Sequence, residues 1–181
     1  AREYLEQNGY EVLVFHATGI GGQTMESLVS DGYFAGVLDL TTTEWADELV
    51  GGVLKAGENR LEAAALAKVP QVVSLGAMDM VNFGPFDTVP EKFKNRNFYK
   101  HNPTVTLMRT SVEESRELGK IVAKKLNMAQ IETVLLIPNG GFSSIDVVDG
   151  PFYYPEADKA LIESIKENLD NDNVRIIEKE Q

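Results

Sequence analysis

The sequence predicts an α/β domain, a three-layer Rossmann-like fold around a mostly parallel sheet, and three observations carry that expectation. Five short apolar runs, at 12–15, 34–38, 72–73, 134–137 and 174–177, are mostly continuous rather than alternating, as strands buried on both faces are. Between them lie stretches with helical spacing: Val112, Ser115, Gly119, Val122 and Leu126 recur at threes and fours, and Ala157, Leu161, Ile165 and Leu169 at fours. Each presents one apolar face to a sheet. Start and stop signals fall between the two kinds of segment, so strand and helix alternate, which calls for right-handed crossovers.

Taken in order, the chain opens on a helix over 2–8, stopped by Gly9, that feeds a strand over 11–16. A glycine-rich turn, Thr18-Gly19-Ile20-Gly21-Gly22, leads into a helix carrying Met25, Leu28 and Val29 and ending at Gly32. After the second strand, Thr41 with Glu44 and then Asn59 with Glu62 have the spacing of a capping box, in which cap side chain and backbone N–H groups satisfy each other reciprocally. The Ala-rich stretch 61–68 stops before Pro70. Residues 76–110 have no clear periodicity, and so long a connection in a compact domain is usually functional or mobile. Ser111 with Glu114 forms a third capping box, and Pro155 suits the first turn of the last helix, where its missing N–H is not needed.

Composition narrows the chemistry. The 181 residues carry 28 acidic against 17 basic side chains, a net charge of −11, and no cysteine. That excludes disulfide scaffolds, thiolate metal sites and cysteine nucleophiles, and it provides no global attraction for nucleic acid or anionic membranes. No apolar run approaches the ~20 residues of a membrane span, and the opening Ala1-Arg2-Glu3-Tyr4-Leu5-Glu6 does not read as a signal peptide. The expectation is a cytoplasmic protein with neither a membrane nor a nucleic-acid partner.

Three features suit an anionic ligand. The turn at Thr18, Gly19, Gly21 and Gly22 places backbone N–H groups at a strand-to-helix junction. It partly matches the dinucleotide fingerprint, with Asp39 near the position of the ribose-binding acid and Thr24 replacing the third glycine. A plain tight turn explains it as well. Asp39-Leu40-Thr41-Thr42-Thr43-Glu44 stands at the carboxyl end of a strand, where open sheets bind ligands, although capping alone accounts for Thr41 and Glu44. In the irregular segment five basic residues, Lys92, Lys94, Arg96, Lys100 and Arg109, face three acidic ones, Asp79, Asp87 and Glu91, among interleaved aromatics. Those aromatics either stack on a base or pin a long loop to the core. Asn82, His101 and Asn102 are its polar candidates, and the Asn139-Gly140-Gly141 turn is a fourth anion-suited position. No hydrolytic triad spacing or local metal motif is present, so no catalytic residue and no metal ligand is assigned.

Long blocks of the text carry a resemblance: 1–5, 11–19, 38–44, 47–52, 79–84 and 99–103. Over nearly its whole length the chain resembles the Tm-one-like ATP-binding family, named after a plant tobamovirus-resistance protein and largely uncharacterised. The resemblance implies the second of two Rossmann-like halves, with an N-terminal subdomain and a further glycine-bearing strand ahead of Ala1. It also implies ATP as ligand, with magnesium as its companion ion, and self-association into a homo-oligomer. Thr18, Gly19, Asp39, Thr41, Thr42, Thr43, Asp79, Asn82, His101 and Asn102 stand in matching blocks and are its candidate ligand residues. The expectation is a nucleotide-binding domain whose strand-end turns contact an anionic ligand. The alternatives are an enzyme acting on a small phosphorylated or carboxylated metabolite, and a protein-interaction module.

Overall fold

The computed structural model describes residues 1–180. Its frame is a four-stranded, wholly parallel sheet in the order β1 (Val37–Asp39), β2 (Gln71–Ser74), β6 (Thr133–Pro138), β7 (Val174–Lys179). Between β2 and β6 the chain makes a second, antiparallel sheet of β3 (Met80–Phe83), β5 (Val105–Arg109) and β4 (Phe98–Asn102). The helices are α1 (Arg2–Gln7), α2 (Ile20–Ser30), α3 (Glu44–Val50), α4 (Ala63–Ala67), α5 (Val112–Leu126) and α6 (Pro155–Asn168). The expected α/β, Rossmann-like architecture is the one observed.

Side-chain alternation decides which face of the parallel sheet is covered. Val73, Leu135 and Ile137 are fully buried, packed with Leu118, Val122 and Leu126 of α5 and Leu161 and Ile165 of α6. Their neighbours on the opposite face, Val72, Val134 and Leu136, are only half-buried, and Leu38 is exposed. Met78, Val81, Phe83 and Met108 join the same core, so both sheets share it. Helices α5 and α6 meet closely at Gly119, where a Cβ would come within 2.6 Å of the Ser164 Cβ. A smaller cluster of Val29, Val37, Ala63 and Ala64 ties α2 and α4 to the end of the sheet.

Local signals held where chain-local chemistry sets them. Ser111 and Glu114 form the reciprocal capping box at the start of α5, and Pro155 opens α6. Gly9 and Gly32 follow their helices with positive φ. Elsewhere tertiary contacts prevailed. Helix α3 begins at Glu44 with Thr43 as a cap whose side chain makes no capping bond, its hydroxyl being engaged by Met80 and Asn82, and the Glu44 carboxylate bonds the glycine turn instead of closing a capping box with Thr41. Asn59 and Glu62 close a turn through their backbones, and α4 starts only at Ala63. The stretch 76–110 is not structureless, since it holds β3, β4, β5 and two short 3-10 turns, Phe86–Thr88 and Glu91–Phe93. These strands are only four or five residues long, too short for a periodicity to register. The expected strand at 11–16 is not formed: the segment makes no ladder, and Leu13 and Val14 are 56% and 61% exposed. Its β-branched residues have the right composition for a strand but no neighbouring strand to pair with.

Candidate functional site

Parallel strands deliver their carboxyl ends to one edge, and here the loops that leave them are bonded side by side. The Thr42 N–H donates to the Gly76 carbonyl at 2.9 Å, joining the loop after β1 to the loop after β2. The Ala77 N–H donates to the Phe142 carbonyl at 2.7 Å, joining that loop to the Asn139–Gly141 turn after β6. Thr41, Asn139 and Gly140 are exposed along this edge. Thr18, Asp39 and Thr41 also line a cavity of about 1140 Å3 that runs between the 9–18 segment and residues 33–41.

The glycine-rich turn is already serving an anion, and that anion belongs to the chain. The Glu44 carboxylate accepts the Gly19 N–H at 2.7 Å and the Gly22 N–H at 3.3 Å. A Cβ at residue 22 would stand against both Glu44 carboxylate oxygens, so only glycine admits this approach. Gly19 has a φ of 82°, the left-handed region that favours glycine. Glu44 is 1% exposed and its charge is balanced by Arg60, whose Nε donates to it at 2.6 Å. The same guanidinium makes a bidentate pair with Asp39, with Nη2 to Oδ1 at 2.7 Å, and reaches Glu26 at 3.2 Å. Burial opposes the charge of Arg60, but Asp39, Glu44 and Glu26 outweigh it and hold the group above its ordinary pKa. Burial raises Glu26.

The other threonines face inward. Thr42 Oγ1 donates to the Ser74 carbonyl at 2.9 Å, and Thr43 Oγ1 donates to the Met80 carbonyl at 3.2 Å while accepting from Asn82 Nδ2 at 3.0 Å. Asn82 belongs with Asp47, which accepts the Asn82 N–H at 2.6 Å and the Leu54 N–H at 2.7 Å and thereby pins α3 to β3. Burial pushes the Asp47 carboxyl up to about 6 despite those bonds. Thr18 is exposed, its hydroxyl 3.4 Å from the His16 carbonyl.

Asp79 lies in a second charged cluster. Its Oδ2 accepts the Ser143 hydroxyl at 2.7 Å, whereas its Oδ1 is buried without a partner. Burial, reinforced by Asp146, pushes Asp79 up to about 6. Arg109 sits alongside, bonded to the Phe152 carbonyl at 2.8 Å, to Asp146 at 3.3 Å and, closely, to Asp158. Asp158 is pushed up to about 7 by burial.

The sequence candidates thus separate into three groups. Thr18, Gly19, Gly21, Gly22, Asp39, Thr41, Thr42 and Thr43 gather at the carboxyl edge beside β1. Asp79 just precedes β3 and Asn82 lies within it, both held in the buried networks just described. His101 and Asn102 are exposed at the β4–β5 hairpin, where Asn102 Oδ1 accepts the Thr104 N–H at 2.9 Å and shapes the turn. Of the basic residues in the irregular segment, Arg96 pairs with Glu114, Lys94 with Glu91, and Arg109 is buried among carboxylates. Sequence reasoning did not single out Arg60, Glu26, Asp47, Asp146 or Asp158; only their long-range partners mark them, and a single charged residue on a helix or in a loop carries no such signal. Among the described residues no group of three His, Cys, Asp or Glu is placed to hold a metal ion, and no helix is long and apolar enough to cross a membrane.

Comparison with known proteins identifies the relatives. The family model described as the C-terminal domain of the uncharacterised protein family UPF0261 matches residues 1–181. The chain belongs to the UPF0261 family. It is similar to a UPF0261 protein of Clostridium tetani, 62% identical over 178 residues that cover 98% of this chain and 44% of the relative. It is also similar to the ToMV resistance protein Tm-1(GCR237) of Solanum lycopersicum, 46% identical over 94% of this chain and 22% of that protein. A UPF0261 protein of Rhizobium meliloti is 46% identical over 94% of this chain and 43% of its own length. The chain therefore spans less than half the length of these relatives.

Proposed function

We propose that this UPF0261 domain binds an anionic ligand of the nucleotide class, ATP being the ligand the sequence resemblance implies, at the carboxyl edge of the parallel sheet. The observation that supports it best is the edge itself: strand-end loops bonded one to the next, with Thr18 and Thr41 both lining the cavity beside them. Open α/β sheets bind ligands at this position because backbone N–H groups and hydroxyls are left unspent where strands stop. The exposed Thr41 hydroxyl and the Asn139–Gly141 turn supply polar contacts, and Leu38 and Leu40, each 41% exposed, supply an apolar wall for a base.

The charge balance restricts how such a ligand arrives. Arg60 faces three carboxylates, Asp39, Glu44 and Glu26, and all four groups are committed to one another. A bare polyphosphate would meet net negative charge there. The residues present do not form a resident magnesium site, so the ion would enter bound to the phosphates and keep its waters, as magnesium commonly does. Asp39 would contact a ribose only by loosening its pair with Arg60.

Calorimetric titration of magnesium ATP into the full-length UPF0261 protein tests the reading, with Thr41→Ala and His101→Ala as variants. Binding heat whose titration gives an affinity weakened at least about ten-fold by Thr41→Ala, a loss of ~1.4 kcal/mol, and unchanged by His101→Ala is the expected result. No heat from the full-length protein contradicts it. Self-association belongs to the same reading and is checked by sedimentation with and without ATP.

A further inference from the structure

Ser143 stands on the carboxyl edge of the sheet, and its hydroxyl is held by a buried carboxylate. The Thr42 N–H donates to the Gly76 carbonyl and the next residue, Ala77, donates to the Phe142 carbonyl, so Ser143 lies two hydrogen bonds along the edge from Thr42. It is half-buried, its turn neighbours Gly140 and Ser144 are exposed, and Asp79 beneath it is fully buried. Ser143 Oγ donates to Asp79 Oδ2 at 2.7 Å and accepts the Ile145 N–H at 3.3 Å. A hydroxyl has two lone pairs, so one of them is left over for a reacting atom.

A structural pin explains this pair poorly. The loop after β6 is already fastened: Asp146 accepts the Phe142 N–H at 3.0 Å, the Phe152 N–H donates to the Ile145 carbonyl at 3.0 Å, and Arg109 Nε donates to the Phe152 carbonyl at 2.8 Å. Asp146 and Asp47 each use both carboxylate oxygens. Asp79 Oδ1 is the one buried carboxylate oxygen without a partner among the described residues. Buried polar atoms normally find partners, and an exception points to a role other than holding the fold. A carboxylate so poorly provided with donors is a stronger base. Burial, and to a lesser degree the Asp146 charge, pushes this carboxyl up to about 6 against the pull of Ser143 and Arg109. Arg109 on β5 is itself shared with Asp146 and with Asp158 of α6, which weakens its hold. A general base works best with a pKa close to the operating pH.

We infer that Ser143 is a phosphoryl acceptor and Asp79 its general base. The inference rests on the nucleotide reading above and adds a reaction to it. With ATP at the carboxyl edge, Ser143 Oγ attacks the γ-phosphorus while the bond from that phosphorus to the β–γ bridging oxygen breaks. ADP leaves, and the hydroxyl proton passes to Asp79 Oδ2. The products are phosphoserine at position 143, ADP and a protonated Asp79, so no further reactant is needed. Gly140 and Ser144 flank the acceptor with backbone N–H groups that have no partner among the described residues, donors of the kind that hold phosphoryl oxygens. Ser144 bonds no carboxylate among the described residues and serves as an internal control.

Full-length UPF0261 protein is incubated with magnesium ATP labelled at the γ-phosphate, modified peptides are located by mass spectrometry, and nucleotide binding is measured on the same samples by calorimetry. The expected result is phosphate on Ser143 and none on Ser144, lost in Ser143→Ala, kept in Ser143→Thr and formed at least about a hundred-fold more slowly in Asp79→Asn, with nucleotide still bound by each variant. The base acts only when deprotonated, so the rate rises with pH through about 6 in the parent and loses that rise in Asp79→Asn. Without nucleotide, carboxyl-carbon NMR should show Asp79 titrating near pH 6, and Ser143→Ala should move the midpoint upward because the hydroxyl no longer stabilises the anion. Nucleotide bound with Ser143 unmodified, or phosphate that forms as fast in Asp79→Asn, overturns the inference and leaves the nucleotide reading standing. An Asp79 midpoint at the ordinary 3.8 overturns it through the base alone. Absence of nucleotide binding overturns both.

Discussion

Two buried arginines organise this molecule, and they do so differently. Arg60 gathers Asp39, Glu44 and Glu26, and two of these partners are in turn bonded to backbone: Glu44 to the Gly19 and Gly22 N–H groups, Glu26 to the Leu61 N–H at 2.5 Å. Arg109 gathers Asp146 and Asp158 beside Asp79, but Asp79 keeps a buried oxygen without a partner, and Asp79 and Asp158 are pushed up to about 6 and about 7. The first network is closed, and it holds the glycine turn against the end of β1. The second is open and responds to protons. Equal counts of buried charge therefore give a rigid strut in one place and a titrating joint in the other, depending on whether each oxygen finds a donor.

The largest expected effect comes from breaking the closed network. Arg60→Ala leaves three carboxylates without their cation, and removing one partner of a buried pair costs on the order of 3–5 kcal/mol. Urea unfolding should show that loss, and Arg60→Lys should recover little of it, since an ammonium cannot reproduce the bidentate fork. A variant within about 0.5 kcal/mol of the parent would mean the network is not a strut. Glu44→Gln should cost less, about 1–3 kcal/mol, and should specifically speed exchange of the Gly19 and Gly22 amides. Loss of stability with those amides unchanged would separate the carboxylate from the turn.

The smallest effect sharpens the contrast from the other side. For an acid whose folded pKa is raised, the folded state binds more protons than the unfolded state between the ordinary value near 3.8 and the raised value. Stability is thus greater on the acidic side and falls as pH rises through that window. Asp79, Asp47 and Asp158 together should make unfolding free energy decline from about pH 4 to about pH 7, on the order of 1 kcal/mol per group. Asp79→Asn removes its share of the slope, and at pH 7 it should be neutral or mildly stabilising. A slope unchanged in Asp79→Asn would place the proton elsewhere.

The same contrast explains what could be read from sequence. The capping box of Ser111 and Glu114, the apolar stripes of α5 and α6 and the glycine stops depend on neighbours three or four residues away, and all are present. The threonine turn was also legible, because it follows directly on the apolar run that ends in β1, whereas the glycine turn follows a segment that forms no strand. What the sequence hid lies at long range. Glu44 has the spacing of a cap residue for Thr41, yet its carboxylate is spent 22 to 25 residues upstream on the glycine turn. Arg60 meets Asp39 across 21 residues and Arg109 meets Asp158 across 49. The run at 11–16 shows the converse, since strand composition cannot create a ladder where no partner strand stands.

The central claim is that the carboxyl-edge loops act together as one ligand site, and amide chemical-shift mapping addresses it most directly. Magnesium ATP is titrated into the isotope-labelled full-length protein, and shifts are followed at Thr18, Gly19, Thr41, Ala77, Gly140 and His101. The account expects the first five to move along one saturating curve while His101, on the β4–β5 hairpin, stays still. Shifts confined to the hairpin, or none at saturating nucleotide, would contradict it.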